Sequence, residues 1–123
     1  MFENKDNKLI ILITKLLKET KNNDLHWHSK SAPKYLTEGT DNIIHNYFYT
    51  DYKGKQLALF HRKFRQYSGE FDTLYWTGET KLAIIESDIV LWENNEYIPA
   101  INDLYNYVSR QASGLNDLLD ELV

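Results

Sequence analysis

The chain has 123 residues, close to one ordinary domain, and a chain of this size can build a core without covalent staples. It contains no cysteine, which excludes disulfides, thiolate metal sites and cysteine nucleophiles and fits a reducing compartment. A formal charge of −4 gives no push toward nucleic acid, and no segment resembles a signal peptide or reaches the roughly 20 apolar residues of a membrane span.

The first element reads as a helix. Leu9, Leu12, Ile13, Leu16 and Leu17 recur at three- and four-residue spacing, while Lys8, Lys15 and Lys18 fall elsewhere on the cylinder. Glu3 and Asp6 suit the positive end of the macrodipole, Lys18 and Lys21 the negative end, and Asn22-Asn23 stop the helix. Ile11 points away from the core face, so it is either harmlessly exposed or in a subunit contact. A short strand follows over Asp24–Ser29, with Leu25 and Trp27 on one face and His26 and His28 on the other. Residues 30–41 contain Pro33 and Gly39 and read as a loop with a brief extended piece at Tyr35–Thr37.

From Asn42 to Ile98 the pattern is β. Ile43–Tyr52 turns through Lys53-Gly54 into Gln56–Tyr67, and Ser68-Gly69 turns into Phe71–Trp76. Thr77-Gly78 separates that from Lys81–Glu86, Ser87-Asp88 leads to Ile89–Trp92, and Asn94-Asn95 opens a last extended piece before Pro99. Such short turns imply an antiparallel meander, because parallel strands need long crossovers. In the second of these strands Leu57 and Leu59 share one face while Phe60 and Phe64 share the other. Either a bulge shifts the phase or both faces are covered.

The C-terminus returns to helix, opened by Pro99. Ile101, Leu104, Val108, Leu115, Leu118 and Leu122 keep a three-four alternation that only Gln111 breaks. The unbroken phase favours one helix kinked at Gly114; a second short helix, Leu115–Leu122, capped by Ser113, is the alternative. The expected architecture is α+β in a single 1–123 domain: an N-terminal helix, five to six antiparallel strands and a C-terminal amphipathic helix. The ending Leu104-Tyr105, Val108, Arg110-Gln111-Ala112-Ser113-Gly114-Leu115, Asp117-Leu118-Leu119-Asp120 resembles the tails of small uncharacterised bacterial and phage proteins of helix–sheet–helix order. The resemblance covers about the last twenty residues and implies a bacterial or phage origin, with no activity attached.

Four features are candidates for function. His26 and His28 sit at the alternating spacing that could aim two imidazoles at one metal, if His45, His61 or Glu38 supplied a third ligand; the alternative is two solvent-facing histidines beside a core tryptophan. The segment 61–67 interleaves bases with aromatics, so Arg62, Lys63, Arg65 and Tyr67 are candidates for single-strand nucleic-acid contact, against the simpler reading of a solvated basic face. Residues 86–123 carry one base, Arg110, against eight acids, whereas residues 1–85 balance at +3. That block is either a solvated helix face or a docking surface, with Asp103, Asp117, Asp120 and Glu121 as its candidates. The fourth feature is aromatic content, 14% of the chain with nine Tyr and three Trp, which suits both pleated surface and binding anchors. Trp27, Trp76 and Trp92, flanked by apolar residues, are expected in the core.

Phosphate loops, dinucleotide turns, nucleophile elbows and zinc-helix motifs are absent, and pairs such as Glu70/Asp72 and Glu86/Asp88 have the spacing of ordinary meanders. The resulting expectation is a cytoplasmic, non-catalytic protein-interaction module of inhibitor, immunity or accessory type. It would use no cofactor, no metal and no membrane, and would pair with another protein or with itself as a homodimer.

Overall fold

The structure is a computed structural model that describes residues 2–123; the side chains of residues 2–7 and of Asn116, and with them the dipole contacts expected of Glu3 and Asp6, lie outside the described residues. The architecture is α+β, with an N-terminal helix, a five-stranded antiparallel sheet and C-terminal helices. Its residues group into two compact units, one formed by Met1–His28 with Ile98–Val123 and the other by Ser29–Tyr97. Among the described residues no helix is long and apolar enough to cross a membrane.

In the helical unit, α1 spans Phe2–Lys21 and α2 spans Pro99–Ser113, and the two pack together. Ile13 and Leu16 of α1 and Ile101, Leu104 and Val108 of α2 are fully buried, as the apolar spacing requires. Ile10 and Ile11 lie outside that stripe and are about half exposed. A Schellman motif ends α1: Asn23 is left-handed at φ 61°, the Asp24 N–H donates to the Glu19 carbonyl at 2.8 Å, and the Asn23 N–H donates to that of Thr20 at 3.1 Å. The expected strand over Asp24–Ser29 does not form. The groups it would have offered to a ladder are taken by a side chain: the Trp27 N–H donates to Gln111 Oε1 at 2.8 Å, and Gln111 Nε2 donates to the Leu25 carbonyl at 2.9 Å. Leu25 and Trp27 are buried and His26 and His28 exposed, but the strand proper, β1, is only His28–Lys30.

The single kinked C-terminal helix is likewise corrected. Gly114 adopts φ 68°, ψ 21°, and α2 ends there, followed by α3 over Leu115–Leu122. The left-handed residue reorients the chain while the sequence keeps its heptad phase. Leu118 and Leu122 of the expected stripe consequently leave the core and are exposed, as is Leu119.

In the sheet unit, β2 (Ile43–Tyr52), β3 (Lys55–Ser68), β4 (Thr73–Glu86) and β5 (Ile89–Glu93) follow β1 in spatial order. Both two-residue turns have paired positive φ angles, Lys53 and Gly54 at 50° and 80°, Ser87 and Asp88 at 50° and 64°. These mirror-image turns match the strand twist and set the register Tyr52↔Lys55 and Glu86↔Ile89. The piece expected to be extended at Tyr35–Thr37 is a 3-10 turn, Lys34–Leu36, closed by the Leu36 N–H on the Pro33 carbonyl at 3.1 Å. The segment before Pro99 is not a strand; buried Asn94 ties it down, accepting the Leu82 N–H at 2.8 Å and donating to the Glu96 carbonyl at 3.0 Å.

The mixed phase of β3 has a simple cause: both of its faces are covered. Leu57, Ala58, Leu59 and Phe60 are all buried. Ala58 and Phe60 join Tyr47, Ala83 and Ile85 in one cluster, where the Tyr47 and Phe60 rings stack at 5.6 Å, and Leu36 packs against it. Burial, reinforced by the neighbouring Tyr35, pushes the Tyr47 phenol well above its ordinary value. The bulge lies in β2, between Ile44 and Tyr47.

The expected break at Thr77-Gly78 is a continuous strand. Gly78 sits there because a Cβ would come 2.5 Å from His61 Nε2; the glycine makes room for an imidazole and no turn is formed. Burial, followed by Lys63, lowers the His61 pKa.

Candidate functional site

Strand β2 pairs with β3 only as far as Ile43↔Lys63, whereas β3 and β4 stay paired out to Ser68↔Thr73. The distal part of that hairpin is therefore a two-stranded ribbon, closed by residues 69–72. Its aromatic and branched side chains have the β preference that builds such a ribbon, yet among the described residues no third strand is hydrogen-bonded to it. Tyr67, Phe71, Leu74, Tyr75 and Trp76 are all exposed, from 44% for Tyr75 to 72% for Phe71. Trp76 is thus not the core residue expected from its neighbours. Trp27 is buried and Trp92 is partly buried opposite Ile84.

Register assigns the faces. Arg65 lies opposite Trp76, Tyr67 opposite Leu74 and Lys63 opposite Gly78, so Lys63, Arg65, Tyr67, Leu74 and Trp76 share one face. Tyr75, opposite Gln66, is on the other. The Arg65 guanidinium lies 5.8 Å from the centre of the Trp76 ring and is ion-paired with Asp41. The Tyr67 hydroxyl donates to the Asp72 carboxylate, and that bond raises the phenol's pKa.

Arg62 is separated from this surface. It projects from the opposite face into an ion network, 2.7 Å from Glu79 and 3.8 Å from Glu93, while buried Lys81 lies 3.5 Å from Glu79 and donates to the Asn94 carbonyl at 2.6 Å. Of the four nucleic-acid candidates, then, the fold gathers Lys63, Arg65 and Tyr67 and excludes Arg62. Trp76 and Leu74 complete the surface. Their part was hidden in the sequence, because alternation alone does not say where a neighbouring strand stops.

The remaining candidates are dispersed. Ile11 is exposed on α1, Asp103 on α2, and Asp117, Asp120 and Glu121 on α3 beside the exposed leucines. His26 and His28 are exposed, while His45 and His61 belong to β2 and β3. Among the described residues no three His, Asp or Glu side chains come together as a metal-binding set. Comparison with protein-family models, with curated proteins and with solved structures finds no match, so the geometry carries the functional argument alone.

Proposed function

We propose that the chain is a non-catalytic protein-interaction module of inhibitor, immunity or accessory type, and that it docks through the distal β3–β4 ribbon. The observation that carries this reading is the exposure of Tyr67, Leu74 and Trp76 on one face of the ribbon at one end of the sheet. Contiguous exposed apolar surface is costly to keep in water and marks contact sites, and Tyr, Trp and Arg are the side chains that anchor them. Arg65, lying along Trp76 and tied to Asp41, presents a preset anchor that loses little freedom on binding. The absence of cysteine supports a cytoplasmic setting for this role. The partner is another protein or a second copy of the chain.

The test is retention of a native-host partner by Leu74→Ser/Trp76→Ser against Leu118→Ser/Leu122→Ser. Ribbon variants should keep wild-type circular dichroism and lose the partner, with the α3 variant as the matched control. Undiminished retention by the ribbon variant would overturn the assignment. A second reading, single-strand nucleic acid on the same face, is favoured by Lys63 and Arg65 beside Tyr67 and Trp76. It predicts an affinity that falls as salt rises.

A further inference from the structure

The helical unit contains a cavity of about 410 Å³, within the usual range of small-ligand sites. We propose that it binds a small organic oxyanion, with a phosphate or carboxylate group held by Lys21 and Arg110. Both side chains line the cavity, Lys21 from the last turn of α1 and Arg110 from the last turn of α2, together with His26 from the intervening connection and Asp117 from α3.

Three observations support the assignment. The first is charge placement: Arg110 is the one base among residues 86–123, which otherwise carry eight acids, and it faces this cavity. Secondly, among the described residues neither Lys21 nor Arg110 is ion-paired with a carboxylate, although Asp117 lines the same space. Lys21 rests instead 4.6 Å from the centre of the Tyr107 ring. With neither cation committed to an ion pair, an anion bound in the shared cavity can engage both through charge-assisted hydrogen bonds.

The third observation is rigidity. Gln111 ties the Trp27 N–H and Leu25 carbonyl to α2, and Trp27 Nε1 donates to Thr20 Oγ1 at 3.1 Å, so the walls are formed before any ligand arrives. The volume exceeds what inorganic phosphate fills, and Tyr107 offers apolar surface to the rest of an organic molecule. Cations near helix C-termini also complement the macrodipole. That role alone predicts an effect of their removal on stability and no saturable ligand binding.

The experiment is a ¹H–¹⁵N NMR titration of the full chain with inorganic phosphate, glycerol 3-phosphate and succinate, each against sodium chloride at matched ionic strength. The expected result is saturable shifts at Lys21, His26, Tyr107, Arg110 and Gly114 with at least one probe; phosphate probes and succinate distinguish the two head groups. Arg110→Gln and Lys21→Gln, exposed changes that leave the fold intact, should each weaken binding about tenfold, the usual scale for one charge-assisted contact. Asp117→Asn should tighten it. Shifts equal to those in chloride for every probe, or an affinity unchanged in Arg110→Gln, would overturn the proposal. Ribbon variants should leave this binding unaltered, so its outcome is independent of the docking assignment.

Discussion

Gln111 is the polar residue that interrupts the apolar spacing of α2, and its amide satisfies two backbone groups of the 22–27 connection at once. Replacing it with leucine keeps the volume and improves the apolar stripe, but strands the Trp27 N–H and the Leu25 carbonyl. An unmet, partly buried backbone group costs about 1–3 kcal/mol, so Gln111→Leu should destabilise the chain by roughly 2 kcal/mol or more in spite of its added apolar surface. Urea unfolding with an unchanged slope reports this directly. A loss under about 0.5 kcal/mol would mean that water replaces the amide at both groups. His61 shows the same dependence of a residue on its surroundings. Burial lowers its pKa, so the folded chain holds a proton less tightly than the unfolded one, and acidification through and below the ordinary imidazole range favours unfolding.

At the scale of elements, the ribbon and the body of the sheet differ in what supports them. Leu57 to Phe60 are paired on both sides and buried on both faces, whereas Arg65 to Trp76 belong to a two-stranded hairpin with exposed side chains. Isolated two-stranded hairpins are marginally stable, so the ribbon should open locally without unfolding the sheet. Hydrogen exchange should therefore show the cross-strand amides of residues 65–68 and 73–76 at least about 100-fold less protected than those of residues 57–60. Equal protection would show that the ribbon is held by something beyond its own pairing. The same contrast explains which elements were legible in the sequence. Strands β2 and β5 and the turns at Lys53-Gly54 and Ser87-Asp88 are locally determined, and residue pattern alone locates them closely. Thr77-Gly78 reads as a turn because the reason for Gly78, the ring of His61, lies on another strand. Gly114 reads as a kink because the apolar phase runs on through a residue that the backbone turns left-handed. Trp76 reads as core because its exposure depends on where β2 ends. Of the candidate site, Lys63, Arg65 and Tyr67 were visible in one basic-aromatic segment, while Leu74 and Trp76 required the β3–β4 register.

For the whole molecule, the distribution of charge decides between the two readings of the ribbon. A nucleic-acid surface needs cations that can exchange counterions with phosphate. Arg62 faces Glu79 and Glu93 on the opposite side, and Arg65 is paired with Asp41, leaving Lys63 and at best Arg65 on the aromatic face. Two phosphate contacts correspond to a log–log salt slope of about −1.4 for a single strand. The net charge of −4, with the acidic excess concentrated in residues 86–123, further opposes a polyanion. Fluorescence anisotropy with a labelled oligothymidine should therefore show at most weak binding at low salt, a slope no steeper than about −1.5, and nothing measurable near 150 mM. A protein partner anchored on Tyr67, Leu74 and Trp76 would bury apolar area and keep most of its affinity over the same salt range. A slope of about −3 or steeper would require cations that the ribbon face does not offer, and would move any nucleic-acid interface to another part of the molecule.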